Sequence, residues 1–184
     1  MRSKVVFLDR DGTIIEDKVF LGDPRGIEFF PGAFEAIRIL RKLGYKIVVV
    51  SNQSGIGRGI LTEKMVKEVN ERFLRMLKEN DALVDGLYFC PHHPDDNCAC
   101  RKPETGMIKK AVAELALDLK DAVVIGDHLV DVKLGKNIGA KTILVLTGHG
   151  KKELEEIKDP GVEPDFVADD LLEAANWVKN LGNK

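Results

Sequence analysis

The chain has 184 residues, of which 44% are hydrophobic and 32% are charged, and its formal net charge is -2. This composition suits one folded domain with a hydrophobic core, and it excludes a disordered chain, a collagen-like repeat and a small disulfide-stabilised protein. Because 28 basic residues nearly balance 30 acidic ones, we expect no nucleic-acid partner. The longest apolar runs have four or five residues, so we also expect no membrane partner, and a cytoplasmic monomer.

Hydrophobic periodicity and turn residues predict alternating strands and helices. Short apolar runs, often β-branched, predict strands over residues 4–8, 46–50, 85–89, 122–125, 141–146 and 166–167. Helical spacing of apolar residues predicts helices over 33–43, from the N-cap Thr62 to 79, and over 103–117, 131–138 and 171–180, with a helical turn at 153–157. Strands separated by helices indicate βαβ units. We therefore predict one α/β domain over residues 1–184, a Rossmann-like three-layer sandwich with a mainly parallel sheet and no large cap domain.

Two carboxylates follow the first predicted strand, where ligands bind in sheets of this kind. Asp9 and Asp11 are two residues apart on an extended segment, so their side chains point to the same side. Together they could hold Mg²⁺, which prefers oxygen ligands, while one attacks phosphorus and the other handles a proton. Taken alone, the pair is equally consistent with two solvated loop acids.

Neutral and basic side chains follow the second and third predicted strands. The segment after the second strand offers neutral donors to a phosphate, although such residues also favour ordinary turns: Ser51, Asn52, Gln53 and Ser54. Arg101 and Lys102 could bind phosphate, Arg through its planar fork and Lys as a point charge. A solvated basic pair is the alternative for these two residues.

Another carboxylate follows the fourth predicted strand. Asp127 could complete a metal site with the acids after the first strand, and His128 is better explained as a substrate contact or a surface residue than as a metal ligand. Asp131 either joins the site or caps the next helix. Jointly, the residues at the strand ends supply a nucleophile, a metal site and donors around a transferring phosphoryl group.

All three cysteines lie between positions 90 and 100. An odd number packed so closely is a poor disulfide framework, so a metal is the better interpretation. Cys90, Cys98 and Cys100 with one neighbouring histidine make a Cys₃His set, which is typical of structural zinc. His92 and His93 are the two candidates for the fourth ligand, and three reduced surface thiols are the alternative to a metal site.

At these residues the sequence resembles the haloacid dehalogenase (HAD) superfamily of phosphohydrolases. The four motifs of that superfamily match, in chain order, Asp9-Arg10-Asp11-Gly12-Thr13, Ser51, Lys102, and Gly126-Asp127 with Asp131. The match spans nearly the whole chain, so the resemblance implies an HAD-like fold. It also implies an enzyme, a phosphoric monoester hydrolase.

The resemblance assigns chemical roles to five of these residues. Asp9 is then the nucleophile that forms an aspartyl-phosphate, and Asp11 protonates the leaving oxygen before it activates water. A catalytic Mg²⁺ is held by the Asp9 carboxylate, the Asp11 backbone carbonyl and Asp127. Ser51 and Lys102 stabilise the phosphoryl oxygens, and Lys102 also orients the nucleophile.

The same resemblance implies how a substrate is held. Arg101 is the substrate-recognition cation beside the catalytic residues. A flap after the first strand contacts the sugar through Asp17, Lys18, Val19 and Phe20, and the remaining pocket residues are Asn52, Gln53, Ser54 and His128. For the zinc loop, His92 fits the spacing of the superfamily members that carry such a loop better than His93 does. The expected ligands of a closed, structural Zn²⁺ are therefore Cys90, His92, Cys98 and Cys100.

Two longer segments narrow the expected substrate. Residues 51–59 and 90–103 resemble the heptose bisphosphate phosphatase and the related histidinol-phosphate phosphatase families, and Arg58-Gly59 and Gly106-Met107 favour the former. We therefore expect a magnesium-dependent phosphatase that removes the C7 phosphate of D-glycero-D-manno-heptose 1,7-bisphosphate. A histidinol-phosphate phosphatase is the alternative, and a polynucleotide 3′-phosphatase is disfavoured by the net charge. Outside the enzymes, a phospho-receiver or a zinc-loop binding module remains open.

Overall fold

The computed structural model describes residues 3–181, which form a six-stranded sheet with helices on both faces. The strands are β1 (Ser3–Leu8), β2 (Lys46–Asn52), β3 (Gly86–Cys90), β4 (Leu117–Gly126), β5 (Lys141–Val145) and β6 (Phe166–Ala168). The helices are α1 (Ala33–Lys42), α2 (Glu63–Glu79), α3 (Gly106–Leu115), α4 (Leu129–Asn137), α5 (Gly150–Glu155) and α6 (Leu171–Leu181). No helix within residues 3–181 is long and apolar enough to cross a membrane.

All strand pairs of the sheet are parallel, in the order β3-β2-β1-β4-β5-β6. The chain moves outward in one direction from β1 and in the other direction from β4. The connections that leave these two central strands therefore diverge, which opens a crevice beyond their carboxyl ends. The expected α/β sandwich with a parallel sheet is confirmed.

Alternating side chains of the central strands form two hydrophobic clusters. Val6 and Leu8 of β1 pack in the cluster that contains α1, α2 and α6. Val5 and Phe7 of the same strand pack in the cluster on the other face, with α3 and α4. All four side chains are fully buried, which explains why β1 is a continuous apolar run in the sequence.

Two predicted helices differ from the structure at both ends. The helix expected over 131–138 is α4, Leu129–Asn137, whose N-cap is His128. The expected helix over 103–117 is α3, Gly106–Leu115, because Ala116 adopts a left-handed conformation with φ 50° and Leu117 already pairs with Ser3 in the sheet. The next strand accordingly begins five residues earlier than the predicted 122–125. Charged residues such as Lys120 interrupt its apolar pattern, and the pairing with β1 shifts register there. The predicted turn at 153–157 is also displaced, to Gly150–Glu155. The N-cap is as expected, since the Thr62 side chain accepts a hydrogen bond from Met65 N–H.

Candidate active site

Three buried carboxylates meet at the crevice between β1 and β4. Asp9 follows β1, Asp127 follows β4, and Asp131 lies in the first turn of α4. One oxygen from each of these residues lies within 4.8 Å of the others. The structure therefore brings Asp9 together with two acids that are more than a hundred positions away in the chain.

Lys102 supplies the positive charge within this cluster. Its Nζ lies 2.9 Å from Asp9 Oδ1 and 2.7 Å from Asp131 Oδ1, and it donates to the Val50 carbonyl at 3.0 Å. The backbone of Lys102 is fixed in turn by the Asn52 amide, which accepts from its N–H at 3.0 Å and donates to its carbonyl at 3.3 Å. The lysine is thus held against Asp9 by contacts at both its backbone and its ammonium.

The charges in the cluster do not balance. Burial raises the pKa of Asp9 to about 8, and the neighbouring carboxylates of Asp131 and Asp127 add to the rise while Lys102 opposes it. Burial also raises the pKa of Asp127. Three carboxylates share a single buried ammonium, so a divalent cation with a preference for oxygen ligands suits the site.

Asp11 is oriented by donors rather than by this carboxylate cluster. Arg10 contacts both carboxylate oxygens, at 2.9 to 3.3 Å. The Gln53 amide donates to Asp11 at 2.8 Å, and the Ser51 hydroxyl donates at 3.3 Å. Gln53 also donates to Ser51 at 2.7 Å. Asp11, Ser51 and Gln53 therefore form one connected set of polar groups in the cleft.

Asp131 joins the site, but it is not the N-cap of α4, a position that His128 occupies. From the third position of α4, its Oδ2 accepts from the His128 backbone N–H at 3.3 Å and completes a capping box, while its other oxygen faces Lys102.

Gly12 is required beside this cluster because its φ is +80° and the Asp127 carboxylate lies against its α-carbon, where a side chain would collide.

A cleft of about 800 Å³ opens over these groups. Its walls come from the flap after β1, the loop after β2 and the cysteine loop, and Arg101 lies in it. Asp17, Val19 and Phe20 of the flap line the cleft. The Lys18 ammonium instead lies 2.7 Å from Glu16 and 3.1 Å from Glu28, and Lys18 is not among the residues that line the cleft.

The cysteine loop gathers four potential metal ligands. The sulfur atoms of Cys90, Cys98 and Cys100 lie 3.1 to 3.6 Å from one another. His92 Nδ1 lies 3.4 Å from the Cys90 sulfur and 3.2 Å from the Cys100 sulfur. These separations are close to the edges of a tetrahedron around Zn²⁺. His93 instead caps a short 3-10 helix by accepting from Asp95 N–H.

Comparisons with known proteins place this site in a family. Residues 99–174 match the family model described as HAD-hydrolase-like. D-glycero-beta-D-manno-heptose-1,7-bisphosphate 7-phosphatase of Haemophilus influenzae is 37% identical, and the alignment covers 97% of this chain and 98% of that protein. The corresponding phosphatase of Chlorobaculum tepidum is 40% identical over 94% of this chain and 92% of its own length. The chain belongs to the HAD family of phosphatases.

A solved relative of this HAD phosphatase has the same fold. D,D-heptose 1,7-bisphosphate phosphatase from B. bronchiseptica is 33% identical in sequence, and its crystal structure superposes with a TM-score of 0.87. The match covers 97% of this chain and 99% of that chain. That enzyme was crystallised in complex with magnesium and phosphate. The resemblance to the HAD superfamily and the expectation of a phosphatase are therefore confirmed.

The sequence interpretation of the HAD phosphatase missed Arg10. Arg10 is 1% exposed and is the largest fully buried side chain among residues 3–181. Besides its contacts with Asp11, it donates to the Asn70 side-chain oxygen, which projects from α2 at a buried position. The motif contained an available signal, because an arginine directly after a buried strand and between two acids needs a partner. Its partner Asn70 had no such signal, being one polar residue on a largely apolar helix face.

Proposed function

We propose that this HAD phosphatase removes the C7 phosphate of D-glycero-D-manno-heptose 1,7-bisphosphate through an aspartyl-phosphate on Asp9. The observation that carries the proposal is the contact of Asp9 with Lys102 at 2.9 Å, at the edge of a cleft large enough for a small phosphorylated sugar. The substrate is supported by the names of relatives that are 37–40% identical over nearly their whole length.

The proposed reaction begins with attack of an Asp9 carboxylate oxygen on the C7 phosphorus. The bond from phosphorus to the sugar oxygen breaks, and Asp11 in its acid form gives that oxygen a proton. Asp11 then takes a proton from water, which attacks phosphorus and releases inorganic phosphate with Asp9 restored. The position of Asp11 supports this role, because Arg10, Gln53 and Ser51 hold its carboxyl group in one orientation at the cleft.

The residues at the crevice fit a catalytic Mg²⁺. We assign it to the Asp9 carboxylate, the Asp11 backbone carbonyl and Asp127, which offer only oxygen ligands in a cluster with excess negative charge. When bound, the ion offsets the repulsion between a carboxylate nucleophile and a phosphate. Lys102 and Ser51 have the remaining task of stabilising the phosphoryl oxygens, and Lys102 also orients Asp9.

The sugar and its second phosphate are assigned to the outer cleft. Arg101 is the proposed recognition cation, and Asp17, Val19 and Phe20 of the flap are proposed to contact the sugar with His128. The contacts described for Asn52 and Gln53 favour positioning roles for their amides, toward Lys102 and Asp11 respectively. For Ser54, as a lining residue, a direct contact remains the proposal. Lys18 is the weakest of the proposed sugar contacts, because its ammonium is paired with Glu16 and Glu28.

A structural Zn²⁺ is proposed for the cysteine loop, with Cys90, His92, Cys98 and Cys100 as its ligands. With four protein ligands, the site leaves no open position for chemistry. Because Arg101 and Lys102 directly follow the last ligand, the ion would fix the segment that delivers both cations to the cleft. A single domain and a cytoplasmic monomer complete the proposal.

The decisive experiment compares three substrates with Mg²⁺ present. Phosphate release is measured from heptose 1,7-bisphosphate, histidinol phosphate and a 3′-phosphorylated oligonucleotide at matched concentrations. The highest kcat/KM is expected for the heptose bisphosphate, and phosphorus NMR should show loss of the C7 phosphate while the C1 phosphate remains. Faster turnover of histidinol phosphate would overturn the substrate assignment. A stable phosphorylated Asp9 without turnover of any substrate would instead favour a receiver.

A further inference from the structure

A second group of metal-ligating side chains lies beside the catalytic carboxylates. Its members are Asp127, His128 and His149, and one donor atom from each lies within 4.8 Å of the other two. His149 follows β5, so the group spans the carboxyl ends of β4 and β5. The two imidazole rings stack with their centres 4.5 Å apart. We name these three residues the histidine cluster.

The two histidines direct ring nitrogens to the same oxygen. His149 Nδ1 lies 3.5 Å from Asp127 Oδ2, and His128 Nε2 lies 3.9 Å from it. In the flap, Asp17 Oδ2 lies 3.6 Å from His149 Nδ1. A tetrahedral ion with bonds of about 2.0–2.2 Å holds its ligand atoms roughly 3.3–3.6 Å apart. The separations from His149 Nδ1 to Asp127 and to Asp17 match this spacing, and the separation from His128 Nε2 to Asp127 exceeds it by a few tenths of an ångström.

The partner of His128 favours a ligand role. Glu153 Oε1 lies 3.1 Å from His128 Nδ1, and because a carboxylate only accepts, the proton sits on Nδ1. Nε2 faces Asp127 at 3.9 Å, and a metal ion bound there would take the place of the Nε2 proton. Glu153 is itself fixed, since its other oxygen accepts from Leu129 N–H at 2.8 Å. A carboxylate behind a histidine is the usual second-sphere arrangement of metal-binding histidines.

We propose that the histidine cluster binds a transition-metal dication of the Zn²⁺, Co²⁺ or Ni²⁺ type, with Asp17 as the fourth ligand. Imidazole nitrogens select such ions over Mg²⁺, which prefers an all-oxygen shell. Because Asp127 is shared with the proposed magnesium site, the bound ion inhibits the phosphatase, and it also ties the flap to β4 and β5 through Asp17. The inhibition rests on the proposed function, whereas the binding does not.

The test uses Co²⁺ as the probe on full-length protein that already holds zinc in its cysteine loop. Equilibrium dialysis and the visible absorption of four-coordinate cobalt are measured in magnesium buffer, with phosphate release followed over the same titration. The expected result is one Co²⁺ per chain and loss of activity with the same midpoint as binding. The thiolate-to-cobalt charge-transfer band reports any exchange at the cysteine loop and should stay absent.

His149→Gln is the informative variant. It removes the ring nitrogen but keeps the backbone N–H that donates to Asp127 at 2.9 Å, so activity without cobalt should be unchanged. Its midpoints for binding and for inhibition should both rise at least about tenfold. His93→Gln removes an imidazole outside the cluster and should behave as the unaltered protein does.

Three results would overturn the proposal. These are the absence of a four-coordinate cobalt spectrum, unchanged cobalt affinity in His149→Gln, and equal inhibition of that variant and the unaltered protein. The last result would mean that cobalt acts by replacing Mg²⁺ at the catalytic carboxylates. Failure to hydrolyse heptose bisphosphate, with cobalt binding intact, would count against the proposed substrate and leave the metal site standing.

Discussion

Aspartates at the two ends of the sheet have opposite properties. At the amino end, Asp85 and Asp165 directly precede the edge strands β3 and β6. Each accepts from the backbone N–H of a residue in the neighbouring strand, at 2.9 Å, and each is paired with lysine. At the carboxyl end, Asp9 and Asp127 lie among other carboxylates. Asp85 and Asp165 are thus surrounded by donors, whereas Asp9 and Asp127 have other carboxylates beside them in addition to their donors.

The exposed fractions of the Asp9 and Asp85 side chains are similar at the two ends of the sheet. The Asp9 side chain is 9% exposed and the Asp85 side chain is 12% exposed. Burial raises the pKa of Asp9, whereas for Asp85 the contacts with Lys46, Ile47 N–H and Arg41 outweigh burial and lower the pKa. At Asp9, burial together with the neighbouring carboxylates outweighs Lys102, whereas at Asp85 the surrounding donors outweigh burial, so only the first site gains from a bound cation.

The largest expected effect is that of Asp9→Asn on turnover. Loss of the nucleophile should reduce kcat by on the order of 10⁴ or more, as measured by magnesium-dependent phosphate release. Without Mg²⁺, the melting temperature at pH 7 should not fall, because the substitution removes a crowded carboxylate. Asp85→Asn is the matched control at the other end of the sheet, and it should melt earlier with kcat unchanged. Near-normal kcat in Asp9→Asn would refute the covalent mechanism.

Cys98→Ser tests whether the metal ligands of the cysteine loop stabilise the fold, as Asp85 and Asp165 do, or serve only catalysis. Loss of one ligand should abolish the bound zinc and lower the free energy of unfolding by roughly 2–4 kcal/mol. Turnover should fall as well, because Arg101 and Lys102 follow the loop directly. Metal analysis, thermal melting and steady-state kinetics check the three effects. His93→Gln should keep its zinc, and unchanged melting and kinetics in Cys98→Ser would remove the structural role.

Asn70→Ala asks whether the buried Arg10 serves catalysis. Without the Asn70 oxygen, Arg10 should hold Asp11 less firmly, so kcat should fall about tenfold with KM little changed. Glu71→Ala, an exposed change on the same helix, is the control for helix effects. Some loss of stability is expected in Asn70→Ala, but a fall in melting temperature with unchanged kcat would make Arg10 purely structural.

The smallest effect is that of Asp165→Asn on pH-dependent stability. Although partial burial opposes it, hydrogen bonding from Thr142 and Lys141 lowers the pKa of Asp165 to about 2. In the unfolded protein the pKa of this carboxyl group is about 4. Because the pKa is lower in the folded protein, the ionised carboxylate stabilises the fold above that pH, and this stabilisation is lost as the pH falls toward 2. After allowance for solvent screening, the variant should lose about 1 kcal/mol at pH 7 and little at pH 2. Denaturant unfolding at pH 7 and at pH 2 measures the loss of stability, and the exposed Asp169→Asn is the control. An equal loss of stability at the two pH values would exclude the ionised carboxylate as the cause.

Sequence patterns were sufficient for the elements whose apolar residues are regularly spaced. The strands next to the crevice were predicted because both faces of a parallel sheet are covered, which leaves an uninterrupted apolar run such as Val5 to Leu8. The start of β4 was missed because charged residues at a partly exposed strand end break that pattern. The end of α3 depended on the left-handed Ala116, a conformation that alanine does not signal.

The sequence by itself determined which side chains can carry chemistry, because the types and order of residues after each strand are local properties. Tertiary structure decided their partners and their charges. Asn70 reaches Arg10, Lys102 meets Asp131, and His149 joins His128 only after the strands are ordered in the sheet. The pKa of a carboxylate depends on burial and on neighbouring charges, and both are set by contacts between residues far apart in the chain.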